Sequence, residues 1–152
     1  MTLLAEGNWL AVTRTDPRAF AMYRRHYSAE KNARASGRSN TNVAGPGETM
    51  VLLTEACDAL FVWMHNTVAR FDGQLGVNCA VFRNEGSVLS SDLVREADEL
   101  AWRRWADYPR HFTYVDPSKI RRKRDPGRCF LKAGWRACGL SAEGKVLMEI
   151  TA

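Results

Sequence analysis

Long hydrophobic runs are absent from this chain of 152 residues. The longest uninterrupted apolar stretch covers residues 59–64, whereas a membrane-spanning helix needs about 20 apolar residues. The first six residues have no basic lead and precede no long apolar segment, so we expect no secretory signal. The sequence therefore predicts a cytoplasmic protein with no membrane partner.

Cysteine and histidine are few and scattered. No two of the four cysteines have the Cys-x-x-Cys spacing of a metal site, and the three histidines stand far from one another. We therefore expect no metal site. Buried free thiols are the expected state of the cysteines in a reducing compartment. The residues concerned are Cys57, Cys79, Cys129 and Cys138.

Acidic residues are scarce in two stretches of the chain, and this makes the charge uneven. Residues 14–38 and 118–136 together carry a net charge of +12, whereas the rest of the chain carries −7. Such polarity predicts a basic surface for a polyanion, with two solvated loops as the alternative. The chain is 45% apolar and 26% charged, so residues 1–152 are expected to form one globular domain.

The first third of the chain predicts a strand, a helix and a long loop. Residues 9–12 are apolar, and Asp16 followed by Pro17 has the pattern of a helix N-terminus. From 28 to 47 the chain is rich in Ser, Asn, Gly and Arg, which predicts a mobile basic loop. Loops of this length in small domains are often functional.

The middle of the chain predicts three strands and a helix. Apolar runs at 50–53, 59–64 and 77–82 are joined by short polar segments, which favours antiparallel hairpins. Their continuous apolarity predicts a sheet that is covered on both faces. Residues 90–92, Ser-Ser-Asp, are expected to cap a helix with apolar residues at steps of three and four as far as Trp105.

The last third predicts a strand at 112–115, a short helix that Gly134 ends after Lys132, and one or two closing strands that include 145–150. We assign Trp63 and Trp105 to the core. The order of elements predicts the α/β class, with a mixed sheet flanked by helices.

Two segments give the sequence a resemblance to the GNAT (N-acetyltransferase) superfamily. Residues 129–135, Cys-Phe-Leu-Lys-Ala-Gly-Trp, resemble the aromatic-x-Lys-x-Gly-aromatic end of the superfamily's fourth helix. Residues 82–86, Phe-Arg-Asn-Glu-Gly, resemble the Arg-x-x-Gly half of its pyrophosphate loop. The resemblance implies a single GNAT-like α/β domain that uses acetyl-CoA or a related acyl donor.

The predicted cofactor site lies between the third apolar strand and the helix that begins at residue 90. A loop that enters a helix N-terminus supplies backbone N–H donors and a positive helix end to a pyrophosphate, and Arg83 adds a charged contact. An ordinary turn glycine and ordinary caps are the alternatives. The predicted cofactor-binding residues are Phe82, Arg83, Asn84, Gly86, Ser90 and Ser91.

Two features depart from the superfamily pattern. Residues 87–89, Ser-Val-Leu, stand where the superfamily normally has a further Gly or Ala. Phe130 stands where these enzymes often have a tyrosine that protonates the departing thiolate. In a GNAT reaction the acid must therefore come from another group, or the thiolate leaves without assistance.

Several segments together are similar to the Mom-type bacteriophage DNA-modification proteins. They include Phe82-Arg83, Ser90-Ser91, residues 114–117 and the Ala-Gly-Trp ending at 133–135. That resemblance implies modification of the exocyclic amine of adenine in phage DNA, as protection from restriction. The location would then be the cytoplasm of the bacterial host.

The predicted catalytic residues stand at two strand and helix ends. Asp116 follows a strand and precedes Pro117, so it can accept a proton from an amine or simply form a turn. Tyr114 is expected on the same face of the strand as Asp116. It is either a proton donor or part of the core. His26 and Tyr27 are expected at the end of the first helix. His26 is a candidate base and Tyr27 a candidate stacking ring. Alternatively, the charge of His26 only complements the negative end of the helix dipole.

Basic residues on both sides of this predicted site are expected to contact DNA phosphates. A nuclear localisation signal is the competing interpretation of the cationic run. The predicted DNA-binding residues are Arg24, Arg25, Lys31, Arg34, Arg38, Lys119, Arg121, Arg122, Lys123, Arg124 and Arg128.

The leading hypothesis is thus a group transferase that acts on adenine in double-stranded DNA, after base flipping. An ordinary N-acetyltransferase for a protein or small amine is the alternative enzyme. A DNA-binding protein that keeps a GNAT-like scaffold without catalysis is the non-enzymatic alternative. A homodimer is compatible with each of the three.

Overall fold

The computed structural model describes residues 5–25, 43–44, 47–66, 72–119 and 127–152. They form one mixed sheet of eight strands in the order β1-β2-β3-β4-β5-β6-β8-β7. The strands are β1 (Ala5–Glu6), β2 (Trp9–Val12), β3 (Glu48–Thr54), β4 (Ala59–His65), β5 (Val77–Asn84), β6 (Arg110–Val115), β7 (Arg136–Leu140) and β8 (Val146–Thr151). The helices are α1 (Pro17–Tyr23), α2 (Ser90–Arg104) and α3 (Arg128–Lys132), with a 3-10 turn at Pro117–Lys119.

One parallel pair interrupts an otherwise antiparallel sheet. The strands from β1 to β5 pair antiparallel with their neighbours, and the predicted hairpins among β3, β4 and β5 are confirmed. The chain then crosses through α2 and returns as β6, which runs parallel to β5. Strand β8 pairs antiparallel with both β6 and β7, so β7 lies at an edge of the sheet.

Apolar side chains cover both faces of the central strands, which confirms the prediction from continuous apolarity. On one face the strands pack against α2 and α3 through a cluster that includes Trp63, Leu93 and Phe130. On the other face Val62 and Val81 pack against α1. The sheet is therefore the middle layer of three, and we call these the α2 face and the α1 face.

The predicted elements are confirmed in type and order, with longer strands at 48–54, 59–65 and 77–84. The structure adds β1, which has only two residues, and it has two closing strands, of which β7, the one not located from the sequence, has five exposed residues. Neither has an apolar run or an apolar alternation, so hydrophobic patterning does not detect it. Trp63 and Trp105 are buried, as predicted.

Helix starts agree with the sequence at α1 and differ from it at α2. The Asp16 carboxylate accepts a hydrogen bond from the Arg18 backbone N–H and caps α1, with Pro17 in the first turn. At α2 the N-cap is Leu89, and no side chain caps the helix. Ser90 was a predicted capping residue, but its hydroxyl instead accepts a hydrogen bond from Asn84.

The cysteines are free, but only Cys79 is buried. Cys57 and Cys129 are half-buried, and Cys138 is exposed, so the expected burial of all four is wrong. Cys138 lies in edge strand β7, where no layer covers it. No helix within the described ranges is long and apolar enough to cross a membrane.

Candidate functional site

A cleft opens between the two parallel strands at the centre of the sheet. Strands β5 and β6 pair only at Val77–His111 and Asn78–Phe112, although β5 continues to Asn84 and β6 to Val115. The two strands therefore diverge towards their carboxyl ends. Such an open edge is where ligands bind in α/β folds.

A β-bulge lies beside the point of divergence. Val62 of β4 pairs with Val81, and the next residue, Trp63, pairs with Cys79, so Ala80 is the extra residue of β5. Bulges bend a strand and redirect its backbone groups. The Thr113 hydroxyl of β6 donates to the Cys79 carbonyl at 2.8 Å and joins the two strands at the base of the cleft.

The loop from β5 to α2 is held by Asn84. Its side-chain nitrogen donates to the Val88 carbonyl at 2.7 Å and to the Ser90 hydroxyl at 2.9 Å. Its side-chain oxygen accepts from the Gly86 backbone N–H at 2.9 Å. One amide side chain thus organises the loop and the start of α2, a position where helices offer N–H donors to anions.

Gly86 is required by close packing within this loop. A Cβ built on Gly86 would lie 2.3 Å from an oxygen of Asp58. That carboxylate accepts a hydrogen bond from Thr54 at 2.7 Å, and the Asp58 carbonyl accepts from the Glu85 backbone N–H at 2.7 Å. The turn between β3 and β4 therefore supports the loop, and a side chain at position 86 would displace it.

An ion-pair cluster joins the carboxyl end of β5 to Arg25, which follows the end of α1. The Arg25 guanidinium donates to both oxygens of Glu85, at 2.7 and 2.8 Å. The Arg83 guanidinium donates to Glu85 at 2.5 Å and to the Arg25 carbonyl at 2.8 Å. The two cations hold the pKa of Glu85 down at about 2, with Arg25 as the larger influence. We call these three residues the Arg25–Glu85–Arg83 cluster.

Neighbouring residues of β5 point to opposite faces of the sheet. Phe82 belongs to the apolar cluster on the α2 face. Arg83 instead donates to the backbone of Arg25, just after α1, and Asn84 returns to the start of α2. Arg83, a predicted cofactor-binding residue, is therefore on the α1 face, away from the other residues of that prediction. Strand alternation is the physical reason.

At the carboxyl end of β6, the Tyr114 hydroxyl donates to a carboxylate oxygen of Asp72 at 3.3 Å. The Asp116 carboxylate accepts from the Ser118 backbone N–H at 3.0 Å and from its hydroxyl at 2.6 Å. Asp116 thus stabilises the 3-10 turn that follows the strand. Both residues are partly exposed beside the cleft, and the structure assigns neither of them a chemical role.

Phe130 lies in the core on the α2 side of the cleft. Its ring is 6.0 Å from that of Phe82 and 4.8 Å from that of Trp135, measured between centroids. Position 130 is therefore filled by a buried hydrocarbon ring with no proton to donate. The preceding residue, Cys129, is half-buried, and burial raises the pKa of its thiol to about 11.

A buried polar network lies beneath the cleft, and the sequence did not reveal it. Asp98 of α2 is 3% exposed and binds the Nδ1 of His111 at 2.7 Å and the indole N–H of Trp135 at 2.8 Å. Trp102 stacks on the His111 ring with centroids 3.5 Å apart. Burial is the main influence on both titrating groups: it raises the pKa of Asp98 and lowers that of His111.

The sequence offers one signal for this network in retrospect. Asp98 follows Val94 and Ala97 and precedes Ala101, so it stands in the apolar stripe of an amphipathic helix. A charged residue in such a stripe indicates a buried partner. Which histidine supplies the partner depends on the sheet topology.

Several predicted residues lie outside the described part of the chain: His26, Tyr27, Lys31, Arg34, Arg38, Arg121, Arg122, Lys123 and Arg124. The same holds for most of the predicted mobile loop. Within that loop Val43 and Ala44 are described, and they are buried against α1. Among the other predicted DNA contacts, Arg24 and Arg128 are exposed, and Lys119 ends the 3-10 turn.

Comparison with known proteins gives matches in structure only, since no protein-family model and no curated protein matches the sequence. The aminoglycoside acetyltransferase AAC(6')-Ib in complex with coenzyme A has a TM-score of 0.63 and 15% identity, over 95% of this chain and 94% of that one. The fold is that of the GNAT acetyltransferases.

Two further solved structures have the same GNAT fold. The aminoglycoside 6'-N-acetyltransferase from Enterococcus faecium has a TM-score of 0.56 and 11% identity, over 94% of this chain and 96% of that one. A GNAT-family acetyltransferase from Bacillus anthracis has a TM-score of 0.54 and 9% identity, over 99% of this chain and 98% of that one. The predicted GNAT-like fold is thus confirmed. The narrower likeness to Mom-type proteins has no support from these neighbours.

Proposed function

We propose that this protein is an acetyltransferase of the GNAT type, which transfers the acetyl group of acetyl-CoA to an amine. The observation that carries the proposal is the divergence of β5 and β6 after Asn78 and Phe112, next to a loop that leads into α2. The structural neighbours in complex with coenzyme A share the fold in which this cleft occurs.

The described residues fit an acyl-CoA donor. Beyond Asn78, β5 has no pairing with β6 among the described residues, so its backbone can pair with the amide groups of an extended ligand. Phe82 and Phe130 make the α2 side of the cleft apolar. Asn84 and Gly86 keep the following loop compact at the helix N-terminus, where a pyrophosphate is favourably placed.

Acetyl-CoA supplies a thioester whose carbonyl carbon can be attacked by an amine. The new C–N bond forms as the C–S bond breaks, the amine loses a proton to a base, and the thiolate of coenzyme A takes up a proton. The protein must therefore place a proton acceptor near the amine and a donor near the sulfur.

We assign these roles to residues at the carboxyl end of β6, as the sequence predicts. Asp116 is proposed to accept the amine proton, and Tyr114 to donate a proton to the thiolate. Phe130 has no proton to donate, so a phenol from β6 takes the place of the usual phenol from the late helix. The hydrogen bond of 3.3 Å from the Tyr114 hydroxyl to Asp72 supports this proposal, because it restricts the orientation of the phenol.

The test is a radiolabelled acetyl-transfer assay with purified protein, acetyl-CoA and a panel of amines: an aminoglycoside, a polyamine, a lysine peptide and double-stranded DNA. A labelled product with any of them is the expected result. Asp116→Ala should lower turnover by about 100-fold or more, in the range of general base catalysis, while coenzyme A still binds. Failure of coenzyme A to bind the folded wild type would refute the proposal.

We further propose a second function for the same cleft, the modification of adenine in DNA in the manner of Mom-type proteins. Its support is the placement of the two basic segments. The first passes α1 and reaches the carboxyl end of β5 at Arg25, and the second begins after Asp116 at the carboxyl end of β6. Because the two strands are parallel, Arg25 of the first segment and the start of the second segment lie at the same edge of the sheet.

Mass spectrometry of nucleosides from cells that express the protein tests this second function. A modified deoxyadenosine is expected in DNA from wild-type cells and should disappear with Asp116→Ala. Unmodified adenine, with the protein folded and able to acetylate a small amine, would leave the first proposal standing and refute the second. Unaltered DNA binding in Asp116→Ala, with no product from the wild type, would indicate a binding protein instead.

A further inference from the structure

The Arg25–Glu85–Arg83 cluster has the geometry of an anion site filled by the protein's own carboxylate. Two guanidinium groups from different elements converge on one Glu85 side chain, with N···O distances of 2.5 to 2.8 Å. Arg25 binds both oxygens in the forked arrangement that arginine uses for carboxylates and phosphates alike. With Glu85 displaced, the site would carry two positive charges.

The position of the cluster assigns it to the acceptor rather than to the donor. In the proposed function the donor lies along β5 and reaches the start of α2, which Asn84 contacts from the α2 face. Arg83 points to the opposite face and donates to the backbone carbonyl of Arg25, just after the end of α1. The two faces are separated by the sheet itself.

We propose that Arg25 and Arg83 bind a phosphate group of the acceptor, and that Glu85 occupies this phosphate site until the acceptor displaces it. The inference rests on the proposed function and narrows the acceptor to a phosphate-bearing amine, with nucleic acid as the source that the basic segments favour. The phosphate replaces the Glu85 carboxylate, because it can accept hydrogen bonds from the same guanidinium N–H groups.

The exchange is energetically accessible. The three side chains are partly exposed: 48% for Arg25, 33% for Arg83 and 29% for Glu85. Ion pairs with this exposure stabilise a protein only modestly, so a multivalent phosphate acceptor can displace the carboxylate. Glu85 adjoins Gly86 in the loop that follows β5, and its side chain can turn to solvent.

The first experiment measures the affinity of the wild type and of Glu85→Gln for inorganic phosphate, a short DNA duplex and coenzyme A. Removal of the competing carboxylate should tighten phosphate and DNA binding by up to about fivefold, the size of a surface ion pair. Coenzyme A affinity should not change. The matched control is Glu55→Gln, which removes the same charge from an exposed position in the neighbouring turn between β3 and β4.

The second experiment removes the cations. Arg25→Gln and Arg83→Gln should each weaken DNA binding and reduce the slope of log affinity against log salt by about one phosphate contact. Arg83→Lys keeps the positive charge without the planar guanidinium and should retain part of the affinity. Thermal unfolding identifies any variant that fails to fold. If Arg25→Gln or Arg83→Gln fails to fold, the binding results for Glu85→Gln and Arg83→Lys test the inference.

Each outcome separates this inference from the proposed function. If Glu85→Gln and Glu55→Gln behave alike, the carboxylate does not occupy a phosphate site and the inference is wrong. If Glu85→Gln tightens coenzyme A as much as DNA, the cations serve the donor, which also overturns it. Absence of coenzyme A binding to the wild type would refute the acetyltransferase proposal alone, because the phosphate and DNA titrations do not use the cofactor.

Discussion

Replacement of Asp98 by alanine should destabilise the protein severely, because Asp98 joins α2 to β6 and to the segment before β7 through two buried hydrogen bonds. The carboxylate is 3% exposed and accepts from His111 at 2.7 Å and from Trp135 at 2.8 Å. Asp98→Ala would leave both donors buried without an acceptor. Each unsatisfied donor lowers the free energy of unfolding by about 1–3 kcal/mol. Part of this loss is offset, because the variant no longer buries a carboxylate.

We therefore expect Asp98→Ala to lower the free energy of unfolding by about 3–5 kcal/mol, a large share of the roughly 5–15 kcal/mol typical of a domain. Urea denaturation followed by tryptophan fluorescence and far-ultraviolet circular dichroism measures it. Asp92→Ala is the matched control in the same helix, since its ion pair with Arg95 is exposed and contributes below about 1 kcal/mol. A loss for Asp98→Ala no larger than that of the control would refute the reasoning.

Three further predictions concern pH, packing and turnover. Burial lowers the pKa of His111, so its contribution to stability is complete above its ordinary value of 6.5 and is lost as the pH falls through the folded value. His111→Asn, whose amide can still donate to Asp98, should flatten the fall in melting temperature on acidification, and an unchanged slope would contradict this. Gly86→Ala should cost about 1–3 kcal/mol and weaken coenzyme A binding, because the new Cβ would meet Asp58 at 2.3 Å. Tyr114→Phe should lower acetyl transfer by about 100-fold with coenzyme A affinity intact, as stopped-flow and equilibrium binding would show.

The order of elements could be predicted from the sequence because each depends on local patterns. The apolar run at 59–64 and the Asp16-Pro17 helix start were located within one or two residues. The short strand β1 and the exposed edge strand β7 have no such pattern. They form because an edge of an existing sheet presents unpaired backbone groups to them.

The features of the candidate site also divide into those that the sequence predicts and those that depend on tertiary structure. The sequence by itself determined the GNAT-like order of elements and the presence of Asn84, Gly86 and Phe130 at their places in it, since each is a matter of residue type and spacing. Tertiary structure alone decided that β5 and β6 diverge after two pairs, that Arg83 faces α1, and that Asp98 meets His111 and Trp135. Those facts depend on which strands pair and which way side chains alternate across the sheet, and both are set by contacts between residues far apart in the chain.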